Sequence, residues 1–76
     1  MSAYNILLLG SGGREGTLAW KLRQSKLCKE LYIAPGNPGT MQYGSNLNIP
    51  VSDFEELKRA CIENHIDILV PGPEDP

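Results

Sequence analysis

Seventy-six residues, 41% hydrophobic and 21% charged, suit one small soluble domain and leave no room for a second. A net charge of −2, with seven lysines and arginines scattered among nine acids, supplies no footprint for nucleic acid or an anionic membrane surface, so the expected partner is a small molecule. No apolar run approaches the ~20 residues that cross a bilayer, and the opening "MSAYN" lacks the basic and apolar segments of a secretory signal.

In chain order, "YNILLL" (Tyr4 to Leu9) is a short apolar run ending at glycine, the pattern of a strand buried on both faces in a parallel sheet. A glycine-rich turn leads to a helix over Arg14 to Gln24, with Leu18, Ala19 and Leu22 on its apolar face and Lys21, Arg23 and Gln24 toward water. Trp20, at mid-helix, is expected to serve packing. Cys28 and Cys61 lie far apart and outside any metal-ligand spacing, which fits reduced structural thiols of a cytoplasmic protein. "LYIA" (Leu31 to Ala34) reads as a second strand parallel to the first, stopping at Pro35.

Pro35 to Asn46 is rich in proline, glycine and asparagine and reads as loop, with a short edge strand near Leu47 to Ile49. Ser52 and Glu55 have the spacing of a capping box, predicting a helix with Phe54, Leu57 and Cys61 inward and Glu56, Lys58, Arg59 and Glu63 solvated. It should end near Asn64 or His65, where an imidazole complements the helix dipole. Ile66 to Val70 is the last strand and "PGPEDP" the loop after it. Parallel α/β domains rarely stop just past an inner strand, so the chain is expected to continue beyond Pro76 in a larger protein. Cut there, it should leave a sheet edge exposed through which copies self-associate.

Three polar loops, "GSGGREG", "PGNPGT" and "PGPEDP", follow three parallel strands and so emerge at one edge of the sheet, where open α/β sheets bind ligands. Glycines at 10, 12, 13 and 16 allow a tight turn, and a helix start there favours an anion such as phosphate; the same glycines also serve simple helix-to-sheet packing. A dinucleotide fingerprint fits poorly, because Glu15 stands where the third glycine belongs and Ala34 and Pro35 stand where a ribose-binding acid belongs. A P-loop fits less, for no Gly-Lys-Ser/Thr follows. Asn37 is either a turn former or a side-chain donor to ligand oxygens. Glu74 is either an acceptor for ribose hydroxyls or a solvated loop charge. No nucleophile–base pair or carboxylate pair emerges.

The segments "NILLLGSGGREGTLAWKL", "LYIAPGNPGT" and "VSDFEELKRACIENHIDILVPGPEDP" resemble, in order and spacing, the N-terminal region of the phosphoribosylamine–glycine ligase (glycinamide ribonucleotide synthetase) family. The resemblance covers nearly all of this chain and only the opening of that enzyme. It implies an α/β, Rossmann-like (pre-ATP-grasp) fold, a parallel β-α-β sheet truncated at residue 76, with the ATP-grasp and C-terminal domains absent. It also implies a cytoplasmic enzyme of purine biosynthesis that joins phosphoribosylamine and glycine by way of a glycyl phosphate, cleaving ATP to ADP and phosphate. ATP and Mg2+ (or Mn2+) would be held mainly outside this chain. Carried over by position, the substrate-binding candidates are Gly12, Gly13 and Arg14 in the first loop, Asn37 and Gly39 in the second, and Gly72, Pro73 and Glu74 in the third. The family usually has histidine where this chain has Gly16. Two other readings stay open: a standalone, non-catalytic ligand-binding module on the same scaffold, and a fragment of an NAD-dependent oxidoreductase.

Overall fold

Apolar runs separated by helical stretches resolve into a single parallel sheet with a helix on each face. The computed structural model describes residues 3–10 and 13–71. In chain order they form β1 (Tyr4–Gly10), α1 (Gly13–Gln24), β2 (Cys28–Pro35), a 3-10 turn (Thr40–Gln42), β3 (Ser45–Asn46), α2 (Phe54–Glu63) and β4 (Ile68–Pro71). The strands lie in the order β3-β2-β1-β4, every neighbouring pair parallel. This is the Rossmann-like α/β class expected from the sequence.

Successive side chains of a strand point to opposite faces, and β1 uses both. Ile6 and Leu8 pack with Leu31 and Ile33 beneath Ala19, Leu18 and Leu22 of α1. Leu7 and Ala34 pack on the other face beneath Leu57 of α2, joined by Leu9, Tyr32 and Cys61. Burial on both sides is what made β1 legible as a continuous apolar run. Trp20 departs from expectation: at 46% exposure it does not fill the core. Helical geometry turns it roughly 150° away from the Leu18–Leu22 face.

The second strand is longer than "LYIA", starting at Cys28 and running through Pro35. Lys29 and Glu30 are exposed at its start, so these residues carry no apolar strand pattern. Proline brings no donor to the end of β2, and the next residue supplies one: the Gly36 N–H donates to the Gly10 carbonyl at 3.0 Å. The edge strand falls at Ser45–Asn46 instead of Leu47 to Ile49. Leu47 still donates its N–H to Ile33 O at 2.7 Å, but Leu47 and Ile49 turn in to pack against the α2 side of the sheet.

Asp53, not Ser52, caps α2: its carboxylate accepts the Glu56 N–H at 3.2 Å. A turn in which Asp53 donates to Pro50 O at 3.0 Å carries Ser52 past the cap position. Leu57 and Cys61 face inward as expected and Ala60 joins them buried, whereas Phe54, the first residue of the helix, is 77% exposed. Asp53→Ala should therefore cost about 1 kcal/mol and Ser52→Ala almost nothing, compared by urea midpoints at constant m-value. At the other end His65 adopts φ 53, and the N–H groups of His65 and Ile66 donate to Ile62 O (3.3 Å) and Cys61 O (2.9 Å). That pair of bonds is a Schellman closure, so His65 ends the helix through its backbone.

The last strand begins at Ile68, two residues later than expected. Asp67 spans the gap by donating its N–H to Asn5 O at 2.8 Å while its carboxylate accepts the Asn5 N–H at 2.8 Å. Expected as an inner strand, β4 forms an edge of the described sheet. Ile68 and Leu69, on opposite faces of it, are both exposed.

Candidate functional site

Parallel pairing delivers the strand ends to one place. Gly10 lies opposite Pro35 and Leu9 opposite Pro71, so β1, β2 and β4 end side by side. The strand order runs from β1 out to β2 and β3 and then returns to β4 on the other flank. Where such an order reverses, the loops on either side separate and leave a crevice. Gly12 of the first loop and Gly72, Pro73 and Glu74 of the third lie outside the described residues. Gly13 and Arg14 are the opening residues of α1.

The second loop is built from a closed set of polar groups. Gly36 sits at φ +74, a left-handed conformation that glycine adopts at little cost. The Asn37 side-chain oxygen accepts the Thr40 N–H at 3.0 Å, and the Thr40 hydroxyl oxygen accepts the Asn37 N–H at 2.9 Å. That hydroxyl lies 2.8 Å from both Asn37 O and Asn46 Oδ1, and Asn46 donates its side-chain amide to Asn37 O at 2.8 Å. Thr40 is fully buried, the one buried polar residue among those described. Of the two roles open to Asn37, the turn-forming one is thus visible in its carbonyl oxygen. Thr40→Val keeps the shape and removes the hydroxyl, stranding the Asn37 N–H; it should cost about 1–3 kcal/mol, read from thermal unfolding.

Between α1 and the 3-10 turn lies a cleft of about 460 Å³, lined by Gly16, Thr17 and Trp20 on one side and Asn37, Gly39, Gln42 and Tyr43 on the other. Two of the sequence candidates, Asn37 and Gly39, meet here. Sequence reasoning misses Trp20 and Tyr43 here, though the four-residue spacing of Gly16 and Trp20 places both on one side of the helix, away from Leu18 and Leu22.

The electrostatics are mild. The described walls of the cleft carry no charged side chain. Arg59 and Glu56 pair at 3.4 Å on the outer surface of α2. Burial pushes the Cys28 thiol up, Arg23 opposing and Glu30 adding to the effect, so this cysteine is a poor nucleophile. Among the described residues no group of three or more His, Cys, Asp or Glu is placed to hold a metal ion. No described helix is long and apolar enough to cross a membrane.

Comparison with known proteins adds to this geometry. The family model for the phosphoribosylglycinamide synthetase N domain matches residues 4–76. A phosphoribosylamine–glycine ligase of Rhodopirellula baltica is 41% identical over 76 residues, 100% of this chain and 17% of that protein. One from Mesorhizobium japonicum is 47% identical over 72 residues, covering 95% of this chain and 17% of its own. The human trifunctional purine biosynthetic protein adenosine-3 is 49% identical over 76 residues, 97% of this chain and 8% of that one. The chain thus spans less than a fifth of the length of these relatives.

Proposed function

Because this chain belongs to the phosphoribosylglycinamide synthetase family, matching its N domain, we propose that it forms the phosphoribosyl-binding wall of an ATP-dependent ligase of purine biosynthesis. The ligase joins phosphoribosylamine and glycine to give glycinamide ribonucleotide, ADP and phosphate, and works in the cytoplasm. The observation that carries this reading is the convergence of β1, β2 and β4 on one edge at the reversal of strand order. There the amides at the start of α1 and the Arg14 guanidinium take the phosphate, as helix N-termini favour anions. The second loop, held rigid by Asn37 and Thr40, forms the adjoining wall, and Glu74 accepts from ribose hydroxyls.

The described residues do not fit a magnesium ion, having no cluster of ligating side chains. As the resemblance to the ligase family implies, we assign ATP and the metal to other parts of the ligase, and this chain supplies binding and orientation of the phosphoribosyl substrate. Titrating the isotope-labelled chain with glycinamide ribonucleotide should shift the amide resonances of Gly13, Gly36, Asn37 and Gly39 saturably. A saturable response to NAD, with none to the ribonucleotide, would hand the site to the oxidoreductase reading. Silence toward both rejects a binding role for this chain alone.

The same chain should associate with itself. β4 leaves one row of backbone groups without a strand neighbour among the described residues, and Leu69 within that strand is 51% exposed. Edges of this kind pair with further strands unless charge or proline blunts them. Light scattering should show mass rising with concentration, and Leu69→Lys should return it to that of a monomer. A wild-type chain that stays monomeric at high concentration rejects the association.

A further inference from the structure

Gly16 stands in a helix without a structural reason to be glycine. It lies inside α1 (Gly13–Gln24) with no left-handed φ, and a Cβ built on it meets none of the described residues within 4 Å. Neither backbone geometry nor close packing therefore requires glycine, and the choice weakens the helix by about 1 kcal/mol relative to alanine. Its one visible consequence is an opening: bare backbone forms part of the cleft wall beside Trp20 and opposite Gln42 and Tyr43.

We propose that this cleft is a subsite for an uncharged planar heterocycle of the nucleobase class, and that Gly16 sets its width. A flat ring can rest on the exposed Trp20 indole and pass over Gly16, where a larger side chain would occupy its space. Aromatic faces bind bases by stacking with little dependence on charge. The described lining offers aromatic faces and neutral polar groups, which suit an uncharged ring. The ring edge finds partners in Thr17 and in Gln42, whose amide nitrogen donates to Gly39 O at 3.0 Å and whose carbonyl oxygen remains an acceptor. At about 460 Å³ the cleft falls within the range of small-molecule sites. Gly16, Thr17 and Trp20 lie one to two turns into α1, past the phosphate end of the helix, while Asn37 and Gly39 line both this cleft and the phosphoribosyl wall.

Adenosine, which has a base and no phosphate, is the probe for the intact chain, with ribose 5-phosphate as the control. Adenosine should move the amide signals of Gly16, Thr17, Gln42 and Tyr43 and the Trp20 indole signal, saturably. Gly16→Leu, which keeps a good helix former but fills the cleft, should raise the melting temperature or leave it unchanged and weaken adenosine at least roughly tenfold, or 1.4 kcal/mol. Gly16→Ala leaves most of the space and should bind nearly as the wild type does. Adenosine without effect on these signals, or bound equally by Gly16→Leu, overturns the proposal. So does ribose 5-phosphate moving the Trp20 signal while adenosine does not, for then the cleft belongs to the phosphoribosyl site. The phosphoribosyl reading stands or falls separately, on the ribonucleotide shifts at Gly13 and Gly36.

Discussion

Gly36→Ala should destabilise the chain by about 3–5 kcal/mol and abolish any ribonucleotide response of the second loop, because two independent costs fall on one methyl group. First, φ +74 is a left-handed conformation that alanine adopts at a cost of roughly 1–2 kcal/mol. Second, a Cβ at this position collides with the Asn46 side-chain oxygen and comes within 2.8 Å of the Thr40 hydroxyl oxygen. Moving Asn46 aside breaks its bond to Asn37 O, and moving Thr40 strands the half-buried Asn37 N–H. Neither escape is cheap, since Thr40 is fully buried. A domain of this length has a total stability of roughly 4–11 kcal/mol, so the variant should melt tens of degrees lower or fail to fold. Gly39→Ala is the matched control. Its backbone is ordinary, with φ −70, and among the described residues its Cβ would meet only the Asn37 side-chain oxygen at 3.1 Å. If the two variants unfold at the same urea concentration, the rigid-turn account of the second loop is wrong.

The sequence carried the sheet well where burial was two-sided. β1 is an unbroken apolar run because both faces of the sheet are covered, and α1 is recognisable because Leu18, Ala19 and Leu22 share its inward face. Boundaries failed where polar residues join regular structure. Lys29 and Glu30 belong to β2 with exposed side chains, and the two residues of β3 are polar: Ser45 is exposed and Asn46 serves the Thr40 network. The cap of α2 was ambiguous in principle, since Ser52 with Glu55 and Asp53 with Glu56 have the same spacing. Only the preceding turn from Pro50 decides for Asp53. As for the site, the convergence of three strand ends followed from parallel pairing alone. The aromatic cleft did not, because Tyr43 lies in a loop without periodicity and its meeting with Trp20 depends on how the 3-10 turn folds back against α1.

The largest core effect should come from Leu7→Ala, at about 3–5 kcal/mol. Leu7 is fully buried at the centre of β1, flanked in the sheet by Tyr32 on β2 and Leu69 on β4. Together with Ala34 and Leu57 it forms the whole of the fully covered contact between α2 and the sheet. Ala34 has no volume to move into the gap, and Leu57 is fixed by the helix that carries it, so the cavity stays largely open and the cost falls in the upper range. Ala19, Leu31, Ile33 and Ile6 give the opposite face more material, so α2 should loosen before α1. Hydrogen exchange on Leu7→Ala should accordingly accelerate first in Leu57 to Glu63, with β1 and β2 amides still protected. Leu69→Ala on the same sheet face, half exposed at the edge, should cost less than about 1 kcal/mol, because a side chain already in contact with water has less burial to lose. Equal destabilisation by the two leucines would mean that β4 is covered in solution, which the self-association of this edge would itself produce. Repeating the comparison at low and high chain concentration separates these cases: the Leu7 cost should stay constant and the Leu69 cost should grow.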